Sequence, residues 1–232
     1  MQRGAALTNR AEAHRELGQY RQALDVAGQS LALQRAGGSR RGEAIVLENI
    51  GLVEFALGQD EQARQTMAAA LSIARGIGLR STEGSTQLHL GLIFTALGQR
   101  AQAQQALDEA GAIATELGGS LPALEVQAAR AEFLLADGGP QANEQALAAL
   151  DTLLHTLLHA PADDTNAPCL PLQLHRTAHR VLAACGDPRA ETLLARARAE
   201  LRLRSERIAD TTTRREYLLV AEHRALAEGA PP

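Results

Sequence analysis

The sequence predicts an all-α fold, a stack of helical hairpins closed by a C-terminal capping helix, and three observations carry that prediction. Leu17-Gly18-Gln19, Leu57-Gly58-Gln59 and Leu97-Gly98-Gln99 recur at a spacing of forty residues. Apolar residues on either side of each tripeptide fall at helical spacing. The 232-residue chain is 45% hydrophobic but only 2% aromatic, too few rings for most sandwiches or barrels.

The echo extends beyond the tripeptide. The same shift links Ala23, Ala63 and Ala103, links Gly51 to Gly91, and links Asn9 to Asn49. Ile45, Leu47, Ile50, Leu52 and Phe55 mark a first helix of the second unit, and Ala63, Met67, Ala70, Leu71 and Ile73 mark its second helix. Gly18, Gly58 and Gly98 stand where the first helix must stop, because glycine accepts the left-handed C-terminal conformation. The second helices are expected to end near Gly37, Gly76 to Gly78 and Gly118-Gly119. Gly51 and Gly91, with the small Ala11 and Ala131 at the same phase, mark the close crossing of the paired helices, and Ala23, Ala63 and Ala103 are expected opposite them.

This pattern resembles the tetratricopeptide repeat family. In the first unit the small residue, the glycine ending the first helix, Tyr20 two residues later and the alanine of the second helix occupy the family's offsets. Asp60 and Arg100 replace Tyr20 in later units, and there is no Trp. The resemblance, specific for residues 4–119, implies a right-handed α-solenoid, here with a period of about 40 in place of thirty-four.

A fourth unit is expected from Leu121 to about His159, with Asp137-Gly138-Gly139-Pro140 as its turn and three residues inserted before Ala146. Repeats one to four thus occupy residues 1–160, a polar linker 161–168, and a degenerate fifth hairpin with its cap 169–232. In that hairpin the first helix runs to Cys185, Gly186-Asp187-Pro188 turns, and the second helix reaches about Ile208. A capping helix over about Thr211 to Glu228 would turn Tyr217, Leu218, Leu219 and Leu226 inward. Arg207-Ile208-Ala209-Asp210, Arg214, Tyr217-Leu218 and His223-Arg224 look like the end of the repeat region in large bacterial signal-transduction ATPases. That likeness implies a regulatory module that follows a nucleotide-binding domain.

Composition excludes several function classes. The formal net charge is −4 and every one of the 23 basic residues is Arg, so the surface offers no general attraction for nucleic acid. Without lysine no phosphate-cradling Gly-x-x-x-x-Gly-Lys loop can exist, so the chain is not itself such an ATPase. No stretch has 18 uncharged apolar residues and the start lacks a secretory leader, so a soluble cytoplasmic chain is expected, away from membranes. Cys169 and Cys185 flank one predicted helix, about 24 Å apart at 1.5 Å per residue, and are read as free thiols.

Catalytic and metal chemistry find little support. His155 and His159, like His175 and His179, are four apart on one helical face, but two imidazoles do not make a zinc site. Cys169, Asp163 and Asp164 are the candidate third ligands, and ordinary helix histidines are the preferred reading. Gly28-Gln29-Ser30-Leu31-Ala32 lacks the second glycine of a nucleophile elbow and lies within a helix. The helix carrying Arg189, Arg196, Arg198, Arg202, Arg204 and Arg207 interleaves Glu191, Glu200 and Glu206, and reads as a solvated face with internal ion pairs. No catalytic residue, metal ligand or cofactor-binding residue is assigned, and the chain reads as a non-enzyme.

Stacked hairpins align their first helices along a concave surface, whose residues follow from helical phase. Unit one would present Thr8, Asn9, Glu12 and Glu16; unit two Ile45, Glu48, Asn49, Leu52 and Phe55; unit three Ser85, Leu88, His89, Leu92 and Thr95. The family resemblance implies that Asn9 and Asn49 could bond a peptide backbone. It also shows that the basic clamp of chaperone-binding members is missing, with Ala5 and the Ser85, His89 pair in its place. Leu52, Phe55, Leu88 and Leu92 form an apolar strip between acidic ends, which suits an amphipathic helix or extended peptide with positively charged flanks, or is simply interior.

The leading reading is a non-catalytic scaffold that binds a protein or peptide in the groove, as the regulatory module of a bacterial signalling or transcriptional regulator. Two others stay open. One is a small-molecule sensor with its ligand around Asn49, Phe55, His89 and Leu92; the other is self-association into a homo-oligomer through the apolar strip or an end unit.

Overall fold

The computed structural model describes residues 2–159 and 170–228, in which thirteen α-helices and no strand occur. The expected linker, 161–168, with Cys169, Asp163 and Asp164, lies outside the described residues. Two compact units divide the chain, residues 1–119 and 120–232.

The first unit holds three hairpins: α1 (Gln2–Glu16) with α2 (Tyr20–Ala36), α3 (Arg40–Ala56) with α4 (Asp60–Gly76), and α5 (Arg80–Ala96) with α6 (Arg100–Leu117). Gly58 and Gly98 sit in the turns, at φ of 72° and 70°. In the first of these turns Gly58 N–H donates to the Phe55 carbonyl (2.9 Å) and Gln59 N–H to the Glu54 carbonyl (2.9 Å), a Schellman closure of the helix end. Left-handed glycines occur at 18, 38, 58, 78, 98, 118 and 138, one every twenty residues, so both turns of a hairpin use the same device. The second helices end at Ala36, Gly76 and Leu117, one or two residues before Gly38, Gly78 and Gly118, close to the stretches the glycines mark in the sequence.

Hairpin packing corrects one expectation. The residues opposite Gly51 and Gly91 are large: a β-carbon on Gly51 would stand 2.9 Å from Met67 Cγ, and one on Gly91 would stand 2.5 Å from Leu107 Cδ2. Ala63 and Ala103 are fully buried nearby, but the knob that fills each glycine gap comes one turn later on the second helix. Ala11, without a gap, shares its core cluster with the small Ala27 at the corresponding place. Thr8 also turns inward: it is buried, its Oγ1 lies 2.9 Å from Ser30 Oγ, and both hydroxyls donate to the Gly4 carbonyl.

An ion cluster recurs where one hairpin passes to the next. Glu43 accepts hydrogen bonds from Arg35 (2.8 Å) and Arg40 (2.6 Å), and forty residues on Glu83 accepts from Arg75 (3.0 Å) and Arg80 (2.7 Å). The third copy of these positions holds Thr115, Ser120 and Ala123. The division into two units falls at that uncharged copy.

The second unit contains α7 (Ser120–Leu135), α8 (Pro140–Ala149), α9 (Asp151–His159), α10 (Leu172–Ala184), α11 (Arg189–Glu206), α12 (Thr211–Leu219) and α13 (Ala221–Glu228). Its core gathers Leu150, Leu153, Leu157, Leu174, Val181, Leu182 and Leu193. The fourth hairpin's second helix is broken at Leu150, and the Gln127 side chain accepts from the freed Leu153 N–H at 3.2 Å. The expected single cap is likewise two helices, broken at Val220. Tyr217 and Leu226 are buried as expected, but Leu218 and Leu219 are 37% and 58% exposed, because at 3.6 residues per turn they point about 100° and 200° away from the face that Tyr217 buries.

Candidate functional site

Within the first unit, α1 packs directly on α3 and α3 on α5, whereas no comparable contact joins α2 to α4 or α4 to α6. The first helices are therefore the more tightly gathered layer, and the side they turn away from the second helices is the concave one. Of the residues expected on that side, Ile45, Glu48, Asn49, Leu52 and Phe55 of α3 are all half-buried, as are Ser85, His89, Leu92 and Thr95 of α5. On α1, Asn9, Glu12 and Glu16 are exposed.

Individual side chains differ in what they leave free. Leu88 is only 6% exposed and belongs to the core, so it leaves the apolar strip that the phase of the sequence suggested. Leu52 and Phe55 pack edgewise on the cluster of Met67, Leu90 and Ile93 and present only part of their surface. Ser85 and Thr95 donate their hydroxyls to the Thr82 and Gly91 carbonyls of their own helix. Arg15 and Glu16 pair at 3.6 Å. Asn9 and Asn49 have no side-chain hydrogen bond to the described protein residues, so both amides remain available.

Glu48 and His89 meet across the α3–α5 junction, with Oε1 and Nδ1 3.7 Å apart and side-chain exposures of 13% and 22%. That separation is beyond a hydrogen bond, and Nδ1 of His89 is buried without a partner among the described residues. Sequence phase placed both residues on the groove; their juxtaposition needed the structure.

The other chemistry-bearing residues serve the framework. The His155 and His159 rings stack at 4.5 Å, and His159 Nδ1 lies 3.0 Å from the His155 carbonyl. His175 is buried, which holds its pKa below the usual imidazole range. Among the described residues no three His, Cys, Asp or Glu side chains converge as a metal site would require. Ser30, buried and donating to a backbone carbonyl, is a packing residue.

The arginine-rich α11 departs from the expected pattern of internal ion pairs. Glu200 does pair with Arg204 at 2.6 Å, but Arg196, Arg198 and Arg204 also donate to the Leu157, Leu226 and Leu170 carbonyls. They tie neighbouring segments together by capping main-chain acceptors. The C-terminal motif is similarly structural: Arg214 donates twice to the Ile208 carbonyl, Asp210 accepts from Thr213 N–H at 2.7 Å, and His223 Nδ1 lies 2.7 Å from the Tyr217 carbonyl.

The successive hairpins define a helical-hairpin repeat protein. Residues 2–76 match the tetratricopeptide repeat family, and no curated protein matches the chain. Among solved structures, the nearly identical TPR-like repeats of a Podosopora anserina protein described as a kinesin light chain share 19% identity at a TM-score of 0.56, over 90% of this chain and 98% of that one. BtubC (BKLC) from P. vanneervenii gives 19% identity and a TM-score of 0.55, over 87% of this chain and 80% of that one. A Rap protein complexed with competence and sporulation factor gives 17% and 0.55, over 99% of this chain and 66% of that one. At such identities the likeness is one of fold. Among the described residues no helix is long and apolar enough to cross a membrane.

Proposed function

We propose that the first unit is a non-catalytic scaffold that binds a protein or peptide across the concave face of α1, α3 and α5, within a regulatory module of a bacterial signalling or transcriptional regulator. The observation that carries the binding reading is the row of half-buried side chains on α3 and α5, apolar and polar in alternation, with the Asn9 and Asn49 amides unspent. An amide that can donate and accept can bond a peptide backbone, and the flanking Leu52 and Leu92 can cover apolar side chains. The likeness of fold to a Rap protein complexed with competence and sporulation factor supports a regulatory setting.

The test must separate binding from folding. Phe55 and Leu52 pack on the core, so truncating them confounds the two. Asn49→Ala with Leu92→Ala is the cleaner pair. Peptide binding is expected to fall at least tenfold while the helical circular dichroism spectrum and melting temperature stay near those of the parent; unchanged binding overturns the reading.

A further inference from the structure

The geometry points to a peptide with a lysine or arginine side chain as the occupant of this face, its cation seated on the Glu48 carboxylate between α3 and α5. The inference rests on the groove reading and narrows its ligand class.

Glu48 differs from Glu43 and Glu83, the carboxylates that recur where one hairpin passes to the next, and from the deeper Glu54, 4% exposed, which accepts from Gln62 within its own hairpin at 2.7 Å. Glu43 and Glu83, with side-chain exposures of 10% and 11%, are each held by two arginines. Glu48, at 13%, has no arginine within ion-pair distance among the described residues; its neighbour is His89, a cation only when protonated. A carboxylate largely withdrawn from water and left without a strong donor is costly, and a charge-assisted hydrogen bond from a ligand relieves that cost. The relief exists only in the complex.

The surroundings agree in sign. The carboxylates expected on this face are Glu12, Glu16 and Glu48; the nearby Arg15 is engaged by Glu16, and the exposed Arg41 stands two turns before Glu48 on α3, so the negative charges prevail. An anionic ligand would meet repulsion here, and a neutral one would bury Glu48 further without compensation. Asn49, next to Glu48 on α3, is placed to bond the backbone of the same ligand residue, with Leu92 covering its stem.

A random dodecapeptide phage library panned against the full chain tests this, with the selected sequences synthesised for fluorescence anisotropy. Selected peptides are expected to be enriched in lysine or arginine beside apolar residues, to bind Glu48→Gln at least tenfold more weakly, and to lose binding to Glu48→Arg. Glu48→Gln should leave the melting temperature of the free protein unchanged or higher, since a neutral amide is cheaper to bury. A lowered melting temperature would make Glu48 a structural partner of His89 and overturn the inference. Peptides that depend on Asn49 and Leu92 but show no basic enrichment, or bind Glu48→Gln within twofold, overturn it while leaving the groove intact. Peptides indifferent to Asn49→Ala with Leu92→Ala, or no enrichment at all, overturn both.

Discussion

Gly91 and Leu107 fit so closely that a β-carbon on the glycine would stand 2.5 Å from Leu107 Cδ2. The contact sets the sign of a mutation. In an open helix Gly→Ala stabilises by about 1 kcal/mol. Here Leu107 is fully buried and cannot retreat, so overpacking of about 1–3 kcal/mol wins and Gly91→Ala should lower stability. In a Leu107→Ala background the same substitution should become stabilising. A double-mutant cycle by urea denaturation checks the reversal.

The repeated arginine–glutamate–arginine cluster should dominate the acid response of the first unit. Hydrogen bonds from Arg35, with Arg40 adding to them, hold Glu43 below the usual carboxylate range despite its burial. At Glu83 burial pushes upward but the bonds from Arg80 and Arg75 outweigh it, again leaving the group lowered. A carboxylate depressed on folding stabilises above its unfolded pKa of about 4.3, and that contribution is lost as pH falls through the folded value. Stability should hold from pH 7 to about 5 and then decline, and Glu83→Gln should cost about 1–3 kcal/mol at neutral pH while flattening the decline.

The second unit should respond at a milder pH. Burial lowers the pKa of His175 and of His223, each against the opposing pull of a nearby carbonyl, those of Pro171 and Tyr217. The unfolded chain then binds protons first, near pH 6.5, so stability drops as pH falls through that value toward the folded pKa. Hydrogen exchange on the intact chain at pH 7.5 and 5.5, corrected for intrinsic rates, should show faster opening across α10, α11 and α13 at the lower pH. Protection in α3 and α5 should hold. Equal loss in both units would contradict this assignment.

The capping pair depends on one side chain at its start. Asp210 accepts from the Thr213 N–H, which holds its pKa below the ordinary value. Asp210→Ala should loosen α12 in hydrogen exchange, whereas Asp210→Asn should retain most of the cap.

How far the sequence could be read depends on whether local chemistry or packing set each feature. Gly58 and Gly98 announced their turns because a left-handed residue has few substitutes, and the forty-residue echo announced the hairpins. The Glu43 and Glu83 clusters were legible in principle, since Arg35, Arg40 and Glu43 recur forty residues on, but no apolar periodicity draws attention to them. Met67 and Leu107 were not readable as the partners of Gly51 and Gly91, because helix offset is set by the whole interface. The breaks at Leu150 and Val220 carry no proline or glycine and arise from the packing of short helices. Among the residues that phase assigned to the groove, it could not tell Leu88, which is core, from Leu92, which is half-exposed.

The even spacing of left-handed glycines every twenty residues makes the first unit a modular tape. Copying residues 40–79 in tandem would carry Arg40 and Glu43 up to the preceding Arg75, recreating the junction that Arg80 and Glu83 now make with it. Lengthening by whole cassettes therefore preserves every seam, whereas inserting a single residue within a helix would rotate half a face out of register. The chain can grow or shrink in steps of one hairpin, and each step would add or remove one rung of the surface that meets a ligand.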